Sequence, residues 1–151
     1  MAKSELGLIS QQYLAGMVDA DGCISVIKMA KCGRGVRDRH ELRLHVTNTN
    51  KEFIYMLKEQ MGGHVRTSRQ GNLKWKQAYN WSTQGARAEA IIREIMPHLI
   101  IKHERAEVAL ELRATMGHRK GQGYKVPPEV MAKRDEIHEK MRLLNLRGAV
   151  A

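Results

Sequence analysis

The stretch Leu14-Ala-Gly-Met-Val-Asp-Ala-Asp-Gly22 puts two carboxylates, Asp19 and Asp21, at the end of an apolar helical run. Carboxylates at a helix C-terminus meet the negative end of the macrodipole and are disfavoured there. A divalent cation would remove that conflict, which makes these acids candidates for metal binding. Gly16 and Ala20 stand one turn apart, at i and i+4, so a strip of the same helix carries almost no side chain. Such a strip lets two helix backbones approach closely. Glycine inside a helix costs about 0.5–1 kcal/mol relative to alanine, so close contact is a reason to keep it.

These residues resemble the motif of the LAGLIDADG homing endonuclease family. Leu14, Ala15, Gly16, Asp19, Ala20, Asp21 and Gly22 match it, and Met17 and Val18 are apolar substitutions within it. The resemblance covers roughly residues 8–115. It implies a site-specific double-strand DNA endonuclease that leaves short 3′ overhangs and promotes intron or intein mobility. Family members with two motifs are monomers, and those with one are homodimers joined through the motif helices. A single copy here implies a homodimer, with Leu14, Gly16, Met17 and Ala20 at the interface.

The resemblance also assigns roles. Asp21 and the Ala20 carbonyl become ligands for Mg²⁺ or Mn²⁺, and Asp21 from each subunit serves one of two phosphates across the minor groove. Asp19 is read as structural, with metal binding as the alternative. Asn48, or else Asn50, matches the polar residue that positions water, although Asn48 could instead cap the second helix. Lys51 matches a nearby solvent-ordering base. Lys102, after Pro97-His-Leu-Ile-Ile, matches the family's active-site lysine, for charge stabilisation or proton shuttling.

The sheet is expected to lie as a saddle in successive major grooves, with strand side chains reading base edges. Alternation proposes Ser25, Ile27, Met29 and Lys31 on the first strand and Arg39, Glu41, Arg43 and His45 on the second. Arg66 and Ser68 on the third, with Lys76, Ala78 and Asn80 on the fourth, complete the surface. Arg43 and Arg66 suit guanine, and Asn80 suits adenine. A target of about two helical turns, roughly palindromic, follows from two such subunits.

The elements that must hold these residues are legible from periodicity. A first helix spans Ile9 to Asp19 with Ser10 as N-cap, stopped at Asp21-Gly22 by a glycine expected at positive φ. Strands follow at Cys23–Met29 and Glu41–Thr47, joined by a basic connection, Lys31–Arg39. A second helix, Lys51–Met61, ends at Gly62-Gly63. A second hairpin runs from His64–Ser68 through a tip near Gly71-Asn72 to Lys74–Thr83, with Trp75, Tyr79 and Trp81 facing the core or its edge. A third helix covers Ala86–Met96 and stops at Pro97. The order αββαββα defines an α+β domain with an antiparallel sheet and helices on one face. Helices at Lys102–Thr115 and Pro128–Leu144 flank a basic loop at 117–125. The whole chain, 1–151, reads as one domain, its core at about 8–115 and a C-terminal helical extension at 116–151. On the last helix, Asp135, Glu139 and Lys140 read as a solvated face.

Composition sets the frame. Twenty-six Lys and Arg against sixteen Asp and Glu give a formal charge of +10, which favours a polyanionic partner. No apolar run reaches the roughly 18–20 residues that span a bilayer, and the N-terminus lacks a signal-peptide core, so the expected location is intracellular. Cys23 and Cys32 have no spacing for zinc or a disulfide framework. The rival to the nuclease is a protein of the same fold that does not cut: a maturase bound to host intron RNA, or an inactive DNA-binding protein. A basic scaffold without metal dependence or sequence preference is the third reading.

Overall fold

The computed structural model describes residues 8–30, 39–68, 74–117 and 125–146. Helix α1 runs Gln11–Asp21, opened by Ser10, whose hydroxyl accepts the Tyr13 amide at 3.1 Å. It extends through Ala20 and Asp21, beyond the expected end, and the cause lies in Gly22. That residue has φ −91° and ψ 168°, extended rather than left-handed, and it begins strand β1, Gly22–Met29. Its amide still donates to the Val18 carbonyl, so helix passes into strand with no intervening turn. A Cβ here would lie 2.6 Å from Val18 Cα and 2.8 Å from the Val18 oxygen. Space, not φ, demands the glycine.

Strand β2, Arg39–Asn48, pairs antiparallel with β1, Gly22 opposite Val46 and Met29 opposite Arg39. Helix α2, Lys51–Met61, is capped by Asn50, whose side chain accepts the Phe53 amide at 2.9 Å. It ends at Gly62-Gly63, both at positive φ. Strands β3, His64–Thr67, and β4, Tyr79–Gln84, complete a four-stranded antiparallel sheet in the order β1-β2-β4-β3. Helix α3, Gly85–Ile95, passes into a short 3-10 turn, Met96–His98. Helices α4, His103–Ala114, and α5, Pro128–Leu144, follow. The αββαββα order and the α+β class expected from periodicity are observed.

One face of the sheet makes the core. Ile24, Val26, Leu42, Leu44, Val46 and Trp81 point into it, met by Leu14, Ala15 and Val18 of α1 and by apolar faces of α2, α3 and α4. Ile137 and Met141 of α5 join the same cluster, so the C-terminal helix is part of the core. Each such branched side chain contributes about 1.5–3 kcal/mol when fully buried. Trp81 is fully buried, and its indole donates to the Gly62 carbonyl at 2.7 Å, fastening β4 to the end of α2.

Two expectations are corrected. The fourth strand was expected from Lys74 but begins at Tyr79, because the four-residue β3 offers pairing only that far. Ser68 adds one bond to the Ala78 carbonyl, and Gln77 directs its amide to the Ser68 and Ala78 carbonyls. Trp75, expected at the core or its edge, is 67% exposed in consequence. On α5, Asp135 is not merely solvated. Its carboxylate meets Lys28 at 2.7 Å and the buried His40 at 2.9 Å, tying α5 to the first hairpin. Lys31 and the rest of the basic connection up to Arg39, the tip at Gly71-Asn72 and most of the loop at 117–125 lie outside the described residues, whereas Arg39 itself begins β2.

Replacing Gly22 with alanine should force the α1–β1 junction apart. The expected loss is about 1–3 kcal/mol, the range for overpacking. Denaturant unfolding of G22A against wild type checks this, and an unchanged midpoint would refute the close approach.

Candidate nucleic-acid interface and catalytic groove

The C-terminus of α1 and the N-terminus of α4 meet, and each supplies what the other lacks. The Asp19 carboxylate accepts the backbone amides of Ile100 at 2.8 Å and Lys102 at 2.9 Å. Those amides lie at the approach to α4, near the positive end of its macrodipole. In return the Lys102 ammonium donates to the Val18 carbonyl at 2.8 Å and to the Asp19 carbonyl, at the negative end of α1. Burial pushes the Asp19 carboxyl upward, but the backbone donors at Ile100, Lys102 and Ile101 and the Lys102 charge together hold it below the usual range. Burial lowers the Lys102 ammonium, against the opposing pull of Asp19. The reading of Asp19 as structural agrees with this geometry. The dipole conflict inferred from the sequence is thus partly relieved inside the chain, by Lys102.

Asp21 is left exposed at the tip of α1. Asn48 donates its amide to Asp21 Oδ2 at 2.9 Å, while its Oδ1 accepts the Asn50 amide at 2.8 Å. The capping of α2 falls to Asn50, while Asn48 gives its side-chain N–H to the carboxylate. Asp21, Ala20, Gly22, Cys23, His45, Thr47 and Lys102 line one open groove. The groove also includes Arg105 and Asn145, which the sequence reading did not single out. Lys51 is placed elsewhere: its amine stands 5.8 Å from the centroid of Tyr55 on its own helix. The separation arises because Lys51 is the first residue of α2, beyond the end of β2.

The donors fit a hard divalent ion. Asp21 offers carboxylate oxygen, and Ala20 a carbonyl in the last turn of α1, where carbonyls lack intrahelical partners. Among the described residues no three His, Cys, Asp or Glu side chains converge. One chain therefore supplies an open, oxygen-lined position rather than a closed cage. Mg²⁺ suits such a position, since it keeps several waters and takes one or two carboxylates plus substrate phosphates.

The interface helix has two distinct faces. Leu14 is 2% exposed and belongs to the chain's own core, so it is not available to a partner as expected. Its position on the α1 face that covers the sheet explains this. Met17 is half-buried against the same core. Gly16 and Ala20 are exposed, and a Cβ built on Gly16 meets nothing within 4 Å.

The open face of the sheet carries the other candidates. Within β1 and β2 no odd-numbered position is buried. Register places Ser25 opposite Arg43, Ile27 opposite Glu41, Met29 opposite Arg39 and Cys23 opposite His45. Arg66 lies opposite Asn80, and Asn80 opposite Thr47, to which it donates at 2.6 Å. Arg43 pairs with Glu41 at 3.3 Å. Lys76, Ala78 and Ser68 fall outside the strands, at the end of the second hairpin. Thr47 and Ser82 continue the same alternation on the open face and were not among the expected DNA-reading residues.

No family model matches the sequence, and no curated protein matches it. Solved structures do match the fold. The homing endonuclease I-CvuI, in complex with the I-CreI target, gives a TM-score of 0.74 at 20% identity, over 93% of this chain and 85% of that one. The archaeal intron-encoded homing endonuclease I-Vdi141I, complexed with DNA, gives 0.71 at 16% identity, over 92% and 86%. The LAGLIDADG homing endonuclease I-LtrWI, bound to target DNA, gives 0.67 at 19% identity, over 97% of this chain but 49% of that one. The chain shares its fold with these DNA-complexed endonucleases. That fold is the one of the LAGLIDADG homing endonucleases.

Substituting Asp19 with asparagine should destabilise the chain by about 1–2 kcal/mol at neutral pH, the lower range for hydrogen bonds to a charged group that is only partly buried. The folded-state pKa is depressed, so this stability is present above the unfolded carboxyl value, near 3.9, and is lost as pH falls through the folded value. Unfolding curves of D19N and wild type should therefore converge in acid. A gap that persists at low pH would show that the lost contacts are not those of the carboxylate.

Proposed function

We propose that this chain is one subunit of a homodimeric, site-specific double-strand DNA endonuclease, working with Mg²⁺ or Mn²⁺ and belonging to the LAGLIDADG homing endonucleases. The observation that carries the reading is the placement of Asp21. It stands exposed at the tip of a small-faced helix, held by Asn48, in one groove with Lys102, and the groove opens beside the polar sheet face.

Support for the dimer comes from Gly16 and Ala20, an exposed strip with no packing reason among the described residues. The chain spans 49% of the length of I-LtrWI, so a second copy would bring the pair to about the size of that protein. Two α1 helices packed through these strips bring two Asp21 side chains near a common axis, as cleavage of opposite strands across a minor groove about 6 Å wide requires. Asp21 and the Ala20 carbonyl would hold the divalent ion, which would supply Lewis acidity toward phosphate and water.

The chain's own residues do the remainder. Asn48 fixes one oxygen of Asp21 and leaves the other as the acceptor available to a cation. Lys102, with two of its three N–H donors on α1 carbonyls, keeps a third for charge that develops on phosphate. Duplex DNA lies on the sheet face, where Arg43, Arg66 and Asn80 read base edges and the +10 charge supplies phosphate attraction. The biological role is promotion of intron or intein mobility.

Selection of cleaved sites from a randomised duplex library with Mg²⁺ should return a roughly palindromic site of about two helical turns. Asp21→Asn should abolish cutting of that site and leave binding largely intact. Lys102→Met should lower the single-turnover rate by roughly 10²-fold or more, the range for a proton-transfer or charge-stabilising group, with much less effect on affinity. Survival of cutting in D21N would sink the site assignment, and equal losses in rate and affinity for K102M would reduce Lys102 to a phosphate contact.

Gly16→Leu separates helix propensity from association. The isolated subunit should gain up to about 1 kcal/mol of helix stability, while the dimer dissociates at least about 100-fold more readily because the backbones can no longer approach. Sedimentation of both forms over a concentration series checks this; an unchanged dimer would remove the strip from the interface.

A further inference from the structure

One wall of the Asp21 groove comes from the first turn of α4 and the end of α5, and a side-chain clamp builds it. Arg105 Nε donates to Asn145 Oδ1 at 2.8 Å, and a second guanidinium nitrogen reaches the Leu144 carbonyl at 2.5 Å. The third reaches the Ile101 carbonyl at 3.3 Å. Asn145 Nδ2 then donates to the Ile24 carbonyl at 2.9 Å, across 121 residues of sequence. β1 has a neighbouring strand on one side only, so this bond holds an edge strand to α5.

The two ends of the clamp are close in sequence to the two reacting side chains. Ile24 lies three residues beyond Asp21, in strand with no intervening loop. Arg105 lies three residues beyond Lys102, about one helical turn, and therefore on the same side of α4. The guanidinium also sits at the negative end of the α5 macrodipole, a favourable place for a cation. We propose that Asn145 is a positioning residue for strand cleavage, holding the β1 wall that follows Asp21 at a set distance from the α4 wall that follows Lys102. This rests on the nuclease reading of Asp21 and Lys102. A helix cap alone would need only the Asn145 backbone, whose amide already bonds the Met141 and Arg142 carbonyls. The side chain goes further, to two other elements.

The test uses the full-length chain and the duplex recovered by selection. Asn145→Ala should lower the single-turnover cleavage rate roughly 10–100-fold, the scale of a displacement near 1 Å in a reacting pair. Metal-free affinity for the same duplex should stay within about twofold, since Asn145 is outside the DNA-reading face of the sheet. Asn145→Asp keeps the acceptor for Arg105 and loses the donor to Ile24, and should fall between wild type and N145A. Amide hydrogen exchange in N145A should quicken at residues 22–25 and 100–105 and hardly elsewhere. If N145A does not fold, Arg105→Lys keeps the cation without its fork and should show the same pattern. Rate and affinity falling together, or exchange rising evenly along α5, would mean a stability role and overturn the proposal. A wild-type rate in N145A overturns it alone, whereas a wild-type chain that cuts no duplex overturns it together with the nuclease reading.

Discussion

Two helix ends that face each other organise this molecule. The C-terminus of α1 presents negative carbonyls, and the approach to α4 presents positive amides. Asp19 and Lys102 cross between them, each answering the opposite helix. The two residues are 83 positions apart in the chain, so the crossing closes the αββαββ unit on itself. Asp21 owes its availability to this arrangement. With Asp19 and Lys102 satisfying one another's backbone, the second carboxylate of the motif is exposed and, among the described residues, bonded by the Asn48 side chain.

The same helix divides its surface between two tasks. Leu14, Ala15 and Val18 pack on the sheet, and the opposite strip of Gly16 and Ala20 is bare. Glycine at 16 and glycine at 22 therefore exist for different reasons. At 22 the neighbouring turn of the helix leaves no room for a side chain. At 16 there is abundant room, since an added Cβ would meet nothing within 4 Å among the described residues.

α5, in the C-terminal helical extension, is structural. Ile137 and Met141 complete the core, Asp135 ties the helix to Lys28 and His40, and Asn145 reaches β1. The consequence is that the groove beside Asp21 has walls drawn from both ends of the sequence.

Much of this could be read from the sequence because it is local. The Ser10 cap, the limits of α2 and α5, and the alternation along β2 depend on residue types a few positions apart, whose periodicities differ between helix and strand. The nine residues from Leu14 to Gly22 likewise carry their own chemistry. Other features needed the tertiary structure because they depend on partners that periodicity cannot specify. The fourth strand starts at Tyr79 only because β3 is short, and Trp75 is exposed for the same reason. Gly22 looked like a left-handed helix stop until the clash with Val18 showed an extended one. The division of labour between Asn48 and Asn50, the turning of Lys51 toward Tyr55, and the reach of Asn145 to Ile24 are set by where side chains meet in space, across up to 121 positions of chain.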